Sequence, residues 1–226
     1  MVWRTSHRPF GREVRLGHFL LAVLLTWGSG VSATTANTDK LGDPLEIKTS
    51  LLRPCSKSLA YDCVKVEVSM PVDAPIETVW QVITDYQHAA QFISNLKSST
   101  ETSLGPNSLQ VEQVGRVSLA ALHVDIKTVY KVSLNPTEKK ITNVSVGGDL
   151  KTVNMETQLQ SKGNGSTLLL YTMVTDPGPW APLVVAEELL KRQARQGFED
   201  LKREILKRSN ANSTSNSNSM SNATRP

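Results

Sequence analysis

The first regular pattern in the chain is an alternation of apolar and polar residues over 62–70, DCVKVEVSM. This period of two is typical of a half-buried β-strand, which Pro71 ends. Asp73 and Pro75 then indicate a helix start, with a capping side chain before a proline in the first turn. A second short helix opens at Asp85. The apolar positions of the two helices are Ile76, Val79, Trp80 and Ile83, then Tyr86, Ala89, Phe92 and Ile93.

After Asn95 the period of two returns and continues to the proline-rich segment that begins at Asp176. Short turns interrupt it, such as Gly105–Asn107 and Gly163–Gly165. Consecutive strands joined by short turns pair as an antiparallel meander. The six predicted strands are LKSSTETSL, SLQVEQVGRV, LHVDIKTVYKVSL, KKITNVSV, LKTVNMETQLQ and STLLLYTMVT.

A long amphipathic helix is predicted from Pro182 to Arg208, after the Asp-Pro-Gly-Pro sequence that ends the last strand. Gly197 lies on its apolar stripe, where glycine costs about 1 kcal/mol relative to alanine. A close approach to the sheet or to a ligand would explain this glycine, and so would chance. The stripe consists of Leu183, Ala186, Leu190, Ala194, Gly197, Leu201 and Ile205.

The element order predicts an α+β fold of the helix-grip type: a strand, two short helices, a six-stranded antiparallel meander and a long C-terminal helix. In this arrangement the helix lies across the concave side of a curved sheet. A pocket can form between them, and such concave, apolar sites favour small hydrophobic ligands.

The N-terminal 33 residues resemble a secretory signal peptide. Four arginines precede an apolar run from Leu16 to Trp27, and small residues end the segment at Ala33, after which we expect cleavage. The alternative is an uncleaved membrane anchor, but the run is shorter than the ~20 residues that span a bilayer. The segment therefore predicts a periplasmic or secreted bacterial protein. We further interpret 34–50 as a linker, 51–208 as the folded domain and 209–226 as a disordered Ser/Asn-rich tail.

Charge and cysteine content argue against nucleic-acid binding, a cysteine metal site and a Cys-x-x-Cys redox site. The formal net charge is +4, but removing residues 1–33 leaves 21 basic and 20 acidic residues. A nearly neutral domain lacks the basic surface that nucleic-acid binding requires. Cys55 and Cys63 have no His or further Cys at metal-ligand spacing, and no Cys-x-x-Cys motif is present. We therefore predict a structural disulfide between them, as expected in an oxidising compartment.

The segment DAPIETVWQVITDYQHAAQFISNLKSS resembles the opening of the START-like, polyketide cyclase/dehydrase and coenzyme Q-binding protein group. The matching positions are Ala74-Pro75, Val79-Trp80, Thr84-Asp85-Tyr86 and Phe92, and the resemblance extends over 62–208. Further landmarks are VEQVGR, GGDLK and STLLLYTM. The sequence departs from many relatives at Ser94, where a proline is common, at Met155, where a glycine is common, and at Thr157, near which an aromatic residue is frequent. The resemblance implies the helix-grip fold and leaves the ligand open.

The sequence contains no recognisable catalytic motif. His88 and His123 are the two histidines after residue 33, and we expect both at the surface. No nucleophile elbow, phosphate loop or metal-ligand cluster is present, so no metal and no cofactor is predicted. Asp85 and Asp149 are interpreted as a helix cap and a turn residue, and Glu156 is expected outside. If Glu112 faced inward, it would be a candidate base.

The leading hypothesis is non-catalytic binding or transport of a hydrophobic small molecule, such as a lipid or isoprenoid quinone, in the pocket between the long helix and the sheet. A cyclase/dehydratase-type enzyme acting on a polyketide-like substrate through Glu112 and Tyr130 is the alternative, and a partner-binding module without a pocket is a third. Transient membrane contact is compatible with the first. The candidate ligand-binding residues are Trp80, Ile83, Gln113, Arg116, Ile126, Tyr130, Met155, Leu190 and Gly197.

Overall fold

A computed structural model describes residues 44–55, 61–119, 122–150, 152–177 and 182–222. The predicted signal peptide and most of the predicted linker lie outside these residues. The strands are β1 (Glu46–Leu52), β2 (Cys63–Val72), β3 (Leu96–Gly105), β4 (Ser108–Leu119), β5 (Leu122–Asn135), β6 (Lys140–Gly148), β7 (Thr152–Gly163) and β8 (Ser166–Asp176). The helices are α1 (Ile76–Ile83), α2 (Ala89–Phe92) and α3 (Leu183–Asn222).

The eight strands form one antiparallel sheet in the order β1-β2-β8-β7-β6-β5-β4-β3. Strands β3 to β8 are the predicted meander, and β2 pairs with the last strand of that meander, with Val68 opposite Tyr171. The helix α3 packs against β1, β2 and α1. The predicted α+β helix-grip fold is thus confirmed.

Strand β1 corrects the interpretation of 34–50 as a linker. It begins at Glu46 and pairs with β2 over its whole length, with Ile47 opposite Val68 and Leu51 opposite Val64. The sequence signal is weak because Thr49 separates the only two apolar residues on its inner face. Backbone hydrogen bonds to β2, which depend little on side-chain type, complete this edge of the sheet.

The core has two parts that meet at the first helix. The larger part lies between β2, α1 and α3 and includes the fully buried Val66, Met70, Val79 and Ile205. The smaller part consists of Val111, Tyr130, Val132 and Ile141 on β4, β5 and β6. Trp80 and Ile83 contact both parts, so α1 joins the two ends of the sheet.

The helix α3 is longer than the sequence predicts. Its apolar stripe packs into the core as expected, with Ala186 and Ile205 fully buried and Leu190 and Leu201 partly buried. The helix then continues to Asn222, through the segment for which composition predicts disorder. Residues 210–213 of this extension are exposed. A helix that is already nucleated propagates at little cost, so an apolar face is not needed to continue it. No described helix has the length and apolarity needed to cross a membrane.

The predicted disulfide between Cys55 and Cys63 is present, with 4.9 Å between the Cα atoms. It joins Cys55, three residues after the end of β1, to Cys63, the first residue of β2, and Cys63 is fully buried. The disulfide therefore closes the connection between the two strands at this edge of the sheet.

Candidate ligand-binding cavity

A cavity of about 310 Å³ lies between α3, the α1–α2 segment and the inner face of the sheet. The helix α3 contributes one wall, α1 and α2 a second, and strands β4, β6, β7 and β8 the floor. The lining residues are Val82, Ile83, Asp85, Tyr86, Ala89, Phe92, Ile93, Asn95, Leu96, Gln113, Ile141, Asn143, Thr157, Leu169, Tyr171, Gln193, Ala194, Gly197, Phe198 and Leu201.

The walls of the cavity are mainly apolar. Ile83 and Phe92 face it from the short helices, and Leu201 from α3. On the other side, the rings of Tyr171 and Phe198 meet edge to face with centroids 5.0 Å apart. Such edge-to-face packing is favourable for aromatic pairs and fixes both rings. The result is a mostly hydrophobic enclosure with few polar groups.

Two tyrosines, Tyr86 and Tyr171, line the cavity, and a third, Tyr130, lies in the core beside it. Burial raises the pKa of Tyr86 to about 12, against a hydrogen bond from Asn143 that lowers it. Burial also raises the pKa of Tyr130, whose hydroxyl donates to Thr128 Oγ1. Burial, reinforced by the other two phenols, raises the pKa of Tyr171 as well. All three phenols therefore stay protonated at neutral pH and act as neutral hydrogen-bonding groups.

The amide groups that face the cavity differ in how they are satisfied. Gln113 Nε2 donates to Ser99 Oγ at 3.1 Å. Asn143, in contrast, has a buried Oδ1 with no hydrogen-bond partner in the described part of the chain. Its interaction with Tyr86 lowers the pKa of that phenol, as a donated amide N–H does, and the carbonyl oxygen of this cavity-lining residue is left without a partner.

Polar contacts join α3 to the loop between α2 and β3 at the rim. Asn95 Nδ2 donates to Gln193 Oε1 at 2.5 Å, and both residues line the cavity. Next to them, the Ser94 backbone N–H and hydroxyl both donate to Asp200. Ser94 is the residue at which this sequence departs from the proline common in relatives. A proline could not donate the backbone hydrogen bond.

A second rim contact involves Asp85. Its carboxylate accepts from His88 Nδ1 at 2.6 Å and pairs with Arg208 Nη1 at 2.9 Å. Burial tends to raise the pKa of Asp85, but the hydrogen bonds from His88 and Arg208 outweigh it, and the pKa lies below its usual value. Asp85 is thus an ionised residue that holds the α1–α2 connection to α3. This is a different role from the helix cap that the sequence suggests, because no side-chain cap bond is present at α2.

The structure brings together only part of the predicted ligand-binding set. Ile83, Gln113 and Gly197 line the cavity. Other members of the set lie close by but belong to the packed core, and they are not among the lining residues: Trp80, Tyr130, Met155 and Leu190. Trp80 also lies under the ammonium group of Lys139, 5.3 Å from the ring centroid.

Two predicted residues lie away from the cavity, Arg116 because of strand alternation and Ile126 because of its position along the sheet. Arg116 is exposed and pairs with Asp125 at 2.9 Å on the outer face. Ile126, opposite Gly115, is on the inner face but beyond the cavity lining.

Glu112 is also on the outer face. Its side chain is 44% exposed and pairs with Lys127 at 2.7 Å, whereas the next residue, Gln113, faces inward. The inward orientation that would make Glu112 a base is therefore absent. Glu156 pairs with Lys140 at 3.0 Å and is half exposed, as expected. His88 and His123 are exposed, also as expected.

The polar floor and the rim of the cavity are not predicted by the sequence pattern. Asn143 and Thr157 sit on weakly apolar strands, where only the register places them beside Ile141 and Tyr171. Tyr86, Phe92 and Ile93 were recognised as apolar helix positions but were not assigned to a pocket. The one available signal was the departure from the family pattern at Ser94 and Thr157, which marks residues at the rim and on the floor.

Comparison with known proteins agrees with this geometry. A family profile described as polyketide cyclase / dehydrase and lipid transport matches residues 64–205. The chain belongs to this family. No curated protein matches the chain in sequence.

Three solved structures illustrate the shared fold. The chain is similar to the Zhui aromatase/cyclase from a Streptomyces species, with a TM-score of 0.57 and 16% identity over 65% of this chain and 95% of that one. It is similar to a STAR-related lipid transfer protein from Xanthomonas axonopodis, with a TM-score of 0.56 and 13% identity over 73% and 96% of the two chains. It is also similar to a START superfamily protein from Mycobacterium smegmatis, with a TM-score of 0.54 and 16% identity over 63% and 97%. These identities establish the fold alone.

Proposed function

We propose that the protein binds a hydrophobic small molecule in the cavity under α3 and carries it without transforming it. The observation that supports this most strongly is the mainly apolar lining of the cavity, in which the phenols of Tyr86 and Tyr171 stay protonated. Burial of apolar ligand surface supplies about 25 cal/mol per Å², before the cost of association is subtracted. The family and the similar structures include both lipid transfer proteins and an aromatase/cyclase, which share the need to enclose an apolar ligand.

The orientation of the acidic residues favours a carrier over a cyclase/dehydratase. Glu112 is on the outer face, and Asp85, which does line the cavity, is held by His88 and Arg208. An ionised carboxylate with a lowered pKa is a weak base for removing a proton next to a carbonyl. The phenols, with raised pKa values, are weaker acids than free tyrosine.

The volume of the cavity limits the cargo. About 310 Å³ is at the lower end of the range for small-molecule sites. We infer a compact ring or a short isoprenoid portion as the enclosed part of the ligand, with any longer tail leaving through the mouth. The disulfide, together with the predicted signal peptide, supports an exported, periplasmic carrier.

The test is native mass spectrometry of protein purified from the periplasm of an expressing bacterium, followed by solvent extraction and identification of bound molecules. We expect a stoichiometric apolar molecule that is recovered chemically unchanged. Gly197→Phe should abolish its retention, because nothing lies within 4 Å of a Cβ at Gly197 and the ring would occupy the cavity. The matched control is Arg195→Phe, at an exposed position two residues away.

Two results would contradict the carrier. Equal retention by the Gly197→Phe variant would place the ligand elsewhere. Conversion of a bound polyketide-like probe, lost in the Tyr130→Phe variant, would favour the enzyme.

A further inference from the structure

The floor of the cavity offers a hydrogen-bond acceptor that the protein itself does not use. Asn143 lies on β6 opposite Met155, and its Oδ1 is buried without a partner in the described part of the chain. Buried polar atoms in folded proteins are nearly always hydrogen-bonded, because an unpaired one loses its interaction with water and gains nothing in return. Asn143 is also one of the residues that line the cavity.

Donors lie beside this acceptor. The interaction of Asn143 with Tyr86 lowers the pKa of the phenol, as expected when the amide N–H donates to the phenol oxygen. In that arrangement the phenol O–H remains available to donate to another acceptor. The Tyr171 phenol is buried at the same site, since both Tyr86 and Tyr130 act on its ionisation. The floor thus presents one carbonyl acceptor and neighbouring phenol donors. A hydroxyl group, which donates one hydrogen bond and accepts others, complements this pattern.

The charges around the cavity select against an anionic ligand. Among the described lining residues the only side chain that is charged at neutral pH is Asp85, which is negative. A carboxylate or phosphate group at the floor would find no cationic side chain among the described lining residues, since Arg208 lies at the rim and is paired with Asp85, and it would meet the unpartnered carbonyl group of Asn143. Burying an unpaired charge is far more costly than burying a neutral hydroxyl group.

From these observations we propose that Asn143 is a specificity-determining residue, whose Oδ1 accepts a hydrogen bond from a neutral hydroxyl group at the buried end of the ligand. The inference rests on the proposed function, because it requires that the cavity hold a ligand. It narrows the ligand class to compact neutral alcohols or phenols with an otherwise apolar body. It also assigns the polar end of the ligand to the floor and the apolar end to the mouth.

The test compares probes that share a naphthalene ring system and of which one alone carries a hydroxyl group as hydrogen-bond donor. The probes are 2-naphthol, its methyl ether 2-methoxynaphthalene, and naphthalene, with binding measured by fluorescence titration on the full chain. We expect the wild type to bind 2-naphthol ~10-fold more tightly than the ether, which corresponds to about 1.4 kcal/mol. Asn143→Leu should remove this preference while binding the ether at least as well. Asn154→Leu, the same change at an exposed position on β7, should retain the preference.

The possible results separate the two proposals. Binding of all three probes with no preference for 2-naphthol in the wild type would overturn the role of Asn143 and leave the carrier function standing. A preference that persists in the Asn143→Leu variant would overturn it as well. Failure of the wild type to bind any of the probes would contradict both proposals. Circular dichroism spectra of the variants establish that each is folded.

Discussion

Ser94 and Asp200 are joined by two hydrogen bonds to the same carboxylate oxygen. The Ser94 backbone nitrogen lies 2.8 Å and its hydroxyl 2.5 Å from Asp200 Oδ2, although the residues are 106 positions apart in the chain. Asp200 is almost completely buried, and its other oxygen accepts from Gln196 and Arg203. This contact fixes α3 to the loop that follows α2 at the rim of the cavity.

Replacing Ser94 by proline should destabilise the protein and loosen the rim. Both hydrogen bonds to a buried carboxylate would be lost, and hydrogen bonds to charged groups contribute about 1.5–3 kcal/mol each. We expect the free energy of unfolding in urea to fall by ~3–6 kcal/mol. Ser94→Ala, which keeps the backbone donor, should lose less. Ser98→Ala, at an exposed position on β3, is the control and should be close to neutral. Equal stability of Ser94→Pro and wild type would show that the contact does not secure α3.

The same carboxylate predicts how stability depends on pH. Burial acts to raise the pKa of Asp200, but the hydrogen bonds from Ser94, Arg203 and Gln196 outweigh it, and the pKa is lowered. Glu204, bonded to Arg208 and Lys207, has a lowered pKa for the same reason. A carboxylate with a lowered folded-state pKa contributes stability above its unfolded-state pKa of about 4. That contribution disappears as the pH falls through the lower folded-state value.

We therefore expect the free energy of unfolding to be constant near neutral pH and to decrease below about pH 4. The measurement is urea denaturation from pH 7 to pH 2. Asp200→Asn should flatten part of the acid decrease, while lowering stability at neutral pH. The control is Glu138→Gln, at an exposed turn position with no ion pair among those the structure shows. An Asp200→Asn variant with the full wild-type acid dependence would contradict the assignment.

Two adjacent glycines at the end of β6 should respond differently to alanine. At Gly148 the backbone φ is +106°, and a Cβ would lie 2.4 Å from the Lys127 carbonyl oxygen. At Gly147 a Cβ would be in ordinary contact, 3.7 Å from Val129. Gly148→Ala combines backbone strain with a clash against backbone, so we expect a loss of ~3 kcal/mol or more. Gly147→Ala should change stability by less than ~1 kcal/mol. Thermal or urea unfolding measures the stability of the two variants. A similar loss of unfolding free energy in both would refute this account of the turn.

The structure distinguishes between the explanations that the sequence leaves open for the helix glycine. Gly197 lies on the apolar stripe of α3, where a close approach to the sheet, a close approach to a ligand or chance would each explain it. In the structure a Cβ at this position meets nothing within 4 Å, because the residue lines the cavity. Gly197→Ala should therefore stabilise the helix by about 1 kcal/mol and weaken the binding of a ligand that fills the space. Calorimetric unfolding and probe titration measure the two effects, with Arg195→Ala as the control. A destabilised Gly197→Ala variant would indicate close packing instead of open space.

Local periodicity in the sequence predicts several features of the fold, whereas features that depend on strand pairing or tertiary packing are not predictable from it. The alternation in β2 and in the meander, the stripe of α3 and the disulfide were all predictable, because each depends on neighbours in sequence. Strand β1 was missed because its placement depends on backbone pairing with β2. Asn143 and Tyr86 come together only through tertiary packing, and the inward direction of Gln113 required the register between β4 and β5.

The disulfide should stabilise the fold through the connection between β1 and β2. Cys55 and Cys63 close a short loop, and cross-linking a loop of this length is worth about 2–3 kcal/mol in the chain-entropy model. The double variant with serine at both positions should lose this amount in urea unfolding under oxidising conditions. The wild type treated with a reductant should lose a similar amount, whereas the reductant should leave the double variant unchanged. That comparison separates loss of the cross-link from the cost of placing a hydroxyl group at the fully buried Cys63. If reduction has no effect on the wild type, the pairing of β1 with β2 is secured by the sheet and core contacts alone.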